Sequence, residues 1–147
     1  MRIALFALAL ALAAPDGGAP PATLRVKVRG LRSNSGQVGC TVFDTADAFP
    51  TKADKAVAKV LVPITRSGNT FDAVCEFPQL PAGTYAVSVM HDENGNGKMD
   101  FNFLHMPKEG YGASRDHLPM MSPPSFDDCK LPIGPGLTEI DVHMTYP

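Results

Sequence analysis

The sequence predicts an all-β fold: a seven-stranded antiparallel β-sandwich with one long ordered loop. Two observations predict the strands and a third predicts the loop. Short runs of alternating apolar and polar residues recur at fairly regular spacing, separated by clusters rich in Gly, Pro and Asn. Each run keeps its apolar residues on one face, as it must when two sheets bury one side against each other. The rhythm breaks over 92–124, which has no strand or helix pattern yet carries much of the chain's polar chemistry.

The elements follow in order. Residues 24–29 alternate Leu24, Val26 and Val28 with Arg25, Lys27 and Arg29. Residues 37–43 put Val38, Cys40 and Val42 on one face. The segment 45–58, with Asp47, Ala48, Phe49 and Pro50 ahead of an Ala/Lys-rich piece, suits a loop with a short helical turn. A third strand is expected over 58–64, then a turn at Ser67-Gly68-Asn69. In 70–77, Phe71, Ala73, Cys75 and Phe77 share a face. Leu80-Pro81-Ala82-Gly83 turns the chain into 84–91, where Tyr85, Val87 and Val89 oppose Ala86, Ser88 and Met90. Two late strands are expected over 125–131 and 137–146. The last has Ile140, Val142 and Met144 inward and Glu139, Asp141 and His143 outward.

At 147 residues the chain fits one domain, expected over 23–147. Ahead of it, Met1-Arg2, an apolar run over 3–14 and Ala11-Leu12-Ala13 compose a secretory signal peptide over 1–14. The run is too short to span a bilayer, and no Cys follows it to take a lipid. Residues 15–22 read as a flexible Pro/Gly/Ala-rich lead-in. No later segment is apolar and long enough to cross a membrane. The expected location is therefore outside the cytoplasm, periplasmic or secreted. There an odd set of three cysteines permits at most one internal pair. Cys40 and Cys75, both in predicted strands, are the expected disulfide, the alternative being three buried free thiols. A net charge of −2 without a basic cluster argues against a nucleic-acid partner.

The long connection opens with Asp92-Glu93-Asn94-Gly95-Asn96-Gly97-Lys98-Met99-Asp100. Asp92, Asn94, Asn96, the Lys98 carbonyl and Asp100 fall at positions 1, 3, 5, 7 and 9 of a calcium loop, with Gly97 at 6. Phe103 stands where the bidentate acid would be, so only Asp92 and Asp100 would bring charge. Such a site binds Ca²⁺ weakly, with Kd on the order of 10⁻⁴–10⁻³ M. Asp116, Asp127 or Asp128 would complete it. The same residues equally compose an Asn-Gly turn whose side chains bond local amides.

A second constellation comprises His91, His105, Lys108, Glu109, Tyr111, Ser114 and Arg115. It reads as a binding surface for a protein, a glycan or a small anion, or as a loop that satisfies its own polar groups. His91 and His105 are also the candidate bases of an alternative small-ligand hydrolase or isomerase. Ser114, Asp116 and His117 are close in sequence, but a triad is a matter of geometry, and no nucleophile elbow or phosphate-binding loop is present. Phe101, Phe103, Leu104, Met106, Tyr111, Leu118, Met120 and Met121 are expected to pack this connection onto the sandwich.

Four stretches in fixed order carry a family resemblance: Leu80-Pro81-Ala82-Gly83-Thr84-Tyr85, the run from His91 to Asp100, Pro107-Lys108-Glu109-Gly110-Tyr111-Gly112, and Pro124-Ser125-Phe126-Asp127-Asp128. From about Leu24 onward the chain resembles the bacterial domain of unknown function 2141 family. The resemblance implies an exported, compact, β-rich protein without an established activity. Cys129 departs from the pattern, where Ala is expected. The Pro-Ala-Gly-Thr-Tyr run is also similar to that of transthyretin-like and collagen-adhesin B-type modules, which implies a transthyretin/immunoglobulin-like sandwich with Tyr85 anchoring a corner. The function expected from all this is an exported non-catalytic binding or accessory module, with a weak calcium site at 92–100. The alternatives are the hydrolase or isomerase and a purely structural surface module.

Overall fold

The computed structural model describes residues 20–147. The expected signal peptide, and the lead-in up to residue 19, lie outside the described residues. The lead-in ends sooner than expected, because Ala22 is already fully buried in a strand.

The strands are β1 (Ala22–Leu31), β2 (Gln37–Phe43), β3 (Ala58–Val62), β4 (Thr65–Ser67), β5 (Thr70–Leu80), β6 (Gly83–Asp92), β7 (Gly110–Ala113), β8 (Leu131–Ile133) and β9 (Gly136–His143), with one short helix, α1 (Phe126–Cys129). The helical turn expected within 45–58 is a 3-10 turn, Ala53–Lys55. One sheet has the order β4-β5-β1-β9. The other has the order β3-β2-β6-β7, with β8 paired to the start of β6. Leu24, Val26 and Val28 of the first sheet share one core with Val38, Val42, Val87 and Val89 of the second. The Cys40–Cys75 disulfide crosses that core between β2 and β5, its Cα atoms 6.4 Å apart, as expected from the sequence.

Three expectations are corrected. Among the described residues there are nine strands, not seven, and the first sheet is mixed because β9 runs parallel to β1, with Val26 beside Ile140. Alternation tells which face of a strand is buried but carries no information about which neighbour it takes. Residues 125–131 are not one strand: Ser125 caps α1, its hydroxyl accepting from the Asp128 amide at 3.2 Å and donating to the Asp128 carboxylate at 2.7 Å. Two acids in a first turn behind a capping Ser favour helix over strand. The connection over 92–124 is not without elements either, since it contains β7 and a 3-10 turn, Ser114–Asp116.

Part of the outward face of the second sheet is covered as well. Phe43, Ala48, Phe49, Ala86, Ala113 and Cys129 form a second buried cluster joined by Leu118 and Phe126. Phe43 and Phe49 meet edge to face with ring centres 5.5 Å apart. At the turn before β6, the Tyr85 hydroxyl donates to the Pro81 carbonyl, the corner bond its sequence context suggested.

The outward face of the first sheet is a charge ladder. Arg25 donates to Glu76 at 2.7 Å and to Glu139 at 2.6 Å, Lys27 reaches Glu139 at 3.1 Å, and Arg29 bridges Asp72 and Asp141. Exposed pairs of this kind are screened by water, so the ladder trims the sheet and the core holds it. Hydrogen bonds from Arg25 and Lys27 hold the Glu139 carboxyl below its ordinary range.

Two outcomes follow. The disulfide spans 35 residues, so the Cys40→Ala/Cys75→Ala pair should lose about 3–4 kcal/mol in chemical denaturation. Glu139 has its pKa lowered on folding, so its contribution is present above the ordinary Glu value of about 4.3 and is lost as pH falls through the lower folded value. The melting-temperature gap between the wild type and Glu139→Gln should therefore be steady above the ordinary Glu range and close as pH falls through the lower folded value.

Candidate functional site

The connection leaves at the end of β6 and returns as β7 on the same edge, with His91 opposite Gly110 and Ser88 opposite Ala113. This register places Asp92 and Glu109 side by side at the base of the excursion. Both are buried. Asp92 Oδ1 accepts from the Asn96 amide at 3.1 Å. Its Oδ2 accepts from the Gly97 amide and from Gln37 Nε2, both at 2.8 Å. Glu109 Oε1 accepts from the Glu93 amide at 3.0 Å, and its Oε2 from the Asp100 amide at 3.3 Å. One carboxylate thus ties the middle of the 93–100 loop and the other ties its two ends. Gly95 and Gly97 stand at φ 71° and 80°, the left-handed region that glycine adopts without a Cβ penalty.

The five residues expected around a cation are drawn into this one loop. Asn94 Nδ2 donates to Asp100 at 2.6 Å, and Asn96 Nδ2 to both Asp100 oxygens at 2.9 and 3.1 Å. The Asn94 and Asn96 side-chain oxygens accept from the Asn96 and Lys98 amides. The Asp92 oxygens turn inward to amides, while Asp100 gathers the two side-chain amides at the surface. Among the described residues, no group of three or more His, Cys, Asp or Glu is placed to hold a metal ion. Asp116, Asp127 and Asp128 lie outside this cluster: Asp116 binds the His143 amide and ring at 2.8 Å each, Asp127 pairs with Lys130, and Asp128 engages Ser125 and His117. The acid that the fold delivers to the loop is Glu109. Sequence reasoning placed it on a solvated surface, although pairing 110 back onto 91 would have put it beside Asp92.

The candidate binding-surface residues do not converge. His91 is fully buried, with Nε2 2.8 Å from the Ser35 carbonyl and Nδ1 2.7 Å from the Tyr146 hydroxyl. A carbonyl only accepts, so Nε2 carries the hydrogen, and Nδ1 accepts from Tyr146. The Tyr146 oxygen also accepts from the Arg32 amide at 3.1 Å, and burial pushes its phenol above the usual range. The Arg32 guanidinium stacks 4.5 Å from the Tyr146 ring centre and pairs with Glu93 at 2.6 Å. A Cβ at Gly110 would overlap that same ring, so this position must be glycine for Tyr146 to close over it. Tyr111 exchanges two backbone hydrogen bonds with Thr145. Ser114 is buried, donating to the Cys129 carbonyl at 2.7 Å and accepting from the Val87 amide at 2.9 Å. Its hydroxyl is thus committed to backbone partners, and Asp116 and His117 engage others. The Cys129 thiol beside it is pushed up to about 11 by burial and by Asp128. Arg115, at φ 64°, reaches the Lys130 carbonyl at 3.5 Å.

Of these seven, His105, Lys108 and Arg115 are exposed, with Arg115 apart in the Ser114–Asp116 turn. Lys108 and Glu109 join Asn94 and Asp100 in lining a shallow open cleft of about 350 Å³, together with Arg32, Ser35 and Glu93, which sequence reasoning missed.

Beyond the base, residues 101–107 close on themselves. Asn102 Oδ1 accepts from the Leu104 and Met106 amides at 2.9 and 3.0 Å, its own amide donates to the Met106 carbonyl at 2.9 Å, and Phe101 bridges to Pro107. The Lys108 amide donates to the Asp100 carbonyl at 2.9 Å. The expectation that the apolar residues here pack onto the sandwich is corrected. Phe101, Phe103, Leu104 and Met106 are 48%, 90%, 66% and 51% exposed, and Met120 and Met121 are almost wholly so. Leu118 does pack, in the second cluster, and Tyr111 is half-buried. The Asn102 side chain closes 101–107 into a turn that satisfies its own backbone, so the tip stands as a unit of its own and does not lie on the sheet.

A family model described as an uncharacterized protein conserved in bacteria, DUF2141, matches residues 26–141. The chain belongs to the DUF2141 family. The matched stretch runs from β1 into β9, so the buried carboxylates, the tip and the disulfide all lie within what the DUF2141 match covers. No curated protein and no solved structure matches the chain.

Removing the Glu109 carboxylate strips the acceptor from two amides. Glu109→Ala should cost about 2–4 kcal/mol in urea denaturation, offset in part because a buried charge is removed with it.

Proposed function

We propose that the protein is an exported, non-catalytic binding or accessory module whose contact surface is the 101–107 tip. The observation that carries this reading is the exposure of Phe101, Phe103, Leu104 and Met106 on a turn closed by its own hydrogen bonds. Isolated exposed apolar side chains are ordinary, but a contiguous apolar tip held in one conformation is what an interaction site looks like. The cross-core disulfide favours an oxidising compartment and hence export. The commitment of both His91 ring nitrogens and of the Ser114 hydroxyl to internal partners favours the non-catalytic reading over a hydrolase or isomerase. Two facing sheets with a tyrosine corner agree with a transthyretin/immunoglobulin-like architecture.

Retention on isolated cell envelopes tests the surface. The wild type should co-sediment with them, and the Phe103→Ser/Leu104→Ser variant should be released about tenfold more readily, at unchanged melting temperature. Equal retention of the two would instead favour a purely structural module.

Weak calcium binding at 92–100 is a second reading, supported by the sequence spacing of Asp92, Asn94, Asn96 and Asp100. It requires the Asn94 and Asn96 side-chain amides, which donate to Asp100 here, to turn their oxygens to the cation. Calorimetry should find Kd on the order of 10⁻⁴–10⁻³ M, lost in Asp100→Ala. At tenfold excess over Kd the melting temperature should rise about 3–5 °C. No heat and no shift at millimolar Ca²⁺ would remove the calcium site.

A further inference from the structure

We propose that the partner of the 101–107 tip is the surface of an anionic lipid membrane, with Phe103 and Leu104 entering the headgroup–acyl boundary and Lys98 and Lys108 facing lipid phosphates. The inference rests on the reading of the tip as a contact surface and adds the chemical class of what it contacts.

The first argument is area. With aromatic side chains burying ~150–250 Å² each, the four exposed residues offer roughly 500 Å² at most. A stable protein interface buries about 800 Å² per partner, so this narrow turn is too small to anchor a second copy or another folded protein by itself. A lipid interface has no such threshold, because each apolar side chain that enters contributes on its own.

Charge placement is the second argument. Every acid of the connection is engaged: Asp92 and Glu109 are buried against amides, Glu93 is paired to Arg32, and Asp100 holds the Asn94 and Asn96 side chains. The cations at the base of the tip are the reverse. Lys98 and Lys108 are exposed, and neither enters an ion pair among the described residues. Lys108 follows directly on the Phe101–Pro107 bridge, and Lys98 precedes Asp100, whose carbonyl accepts from the Lys108 amide. The hydrogen-bonded carboxylates keep their charge, but Asp92 and Glu109 are buried and Glu93 is paired. Two exposed ammonium groups therefore stand against the half-buried Asp100 beside the apolar point. This positive rim complements a surface that is apolar within and anionic at its edge.

The chain contains no Trp, so Phe103→Trp supplies a single reporter at the point of contact. Added to protein-free vesicles of phosphatidylglycerol and phosphatidylethanolamine, it should shift its emission to the blue and be quenched by brominated acyl chains. Lys98→Glu/Lys108→Glu should weaken vesicle co-sedimentation about tenfold, an effect that salt reproduces in the wild type. Phe103→Ser/Leu104→Ser should abolish it, with circular dichroism and melting unchanged. No blue shift and no sedimentation, while envelope retention still depends on the tip, would overturn the lipid assignment and leave the tip a protein-binding surface. Loss of tip dependence in both assays would overturn the contact surface as well. A wild type that dimerises in sedimentation velocity, and a tip variant that does not, would assign the tip to a second copy.

Discussion

Two buried carboxylates hold the connection between β6 and β7 at its base. Burying an isolated carboxylate costs several kcal/mol, so Asp92 and Glu109 are tolerated only because five N–H donors close on them. Four of those donors are amides of the loop that would otherwise stay unpaired, and the fifth is the Gln37 side chain of β2. The requirement is mutual: the carboxylates need the loop wrapped around them, and the loop needs the carboxylates to keep one conformation. The Asn102 turn stands on this base, closed by its own hydrogen bonds, and its four apolar side chains stay out of the core.

The base is coupled to the rest of the molecule by the chain's last residues. Tyr146 reaches back to hydrogen-bond His91, receives the Arg32 amide and lies over Gly110. Thr145 pairs with Tyr111, so the strand that ends the first sheet is tied to the edge of the second. His91 therefore works as a positioning residue: its ring is held between Ser35 and Tyr146, and it locks the strand end that presents Asp92. With the disulfide crossing the core, the two sheets are fastened both through their centre and at the rim that carries the tip.

Much of this was legible in the residues. The alternation of Leu24, Val26 and Val28 with Arg25, Lys27 and Arg29 announced which side of β1 faces the core, and Cys40 and Cys75 were inward positions of two predicted strands that do face each other. Periodicity could not reveal that β9 would lie parallel to β1, because a strand's pattern is the same beside any neighbour. Ser125 with Asp128 three residues on was a readable cap, masked by the apolar residues around it. Glu109 was harder to read: its role depends on the register that brings 110 opposite 91. The tip residues were misplaced for a different reason. Hydrophobicity favours burial, but Asn102 closes 101–107 into a turn that satisfies its own backbone and need not lie on the sheet.

The account rests on a connection held in one conformation by two buried acids. Residue-resolved amide hydrogen exchange addresses that directly. The amides of Glu93, Asn96, Gly97 and Asp100, which lie outside the sheet ladders, should exchange as slowly as those of β6, and Glu109→Gln should release Glu93 and Asp100 together. If these four amides exchange in the wild type at the rate of an unstructured peptide, the carboxylates do not hold the connection and the tip is not a built surface.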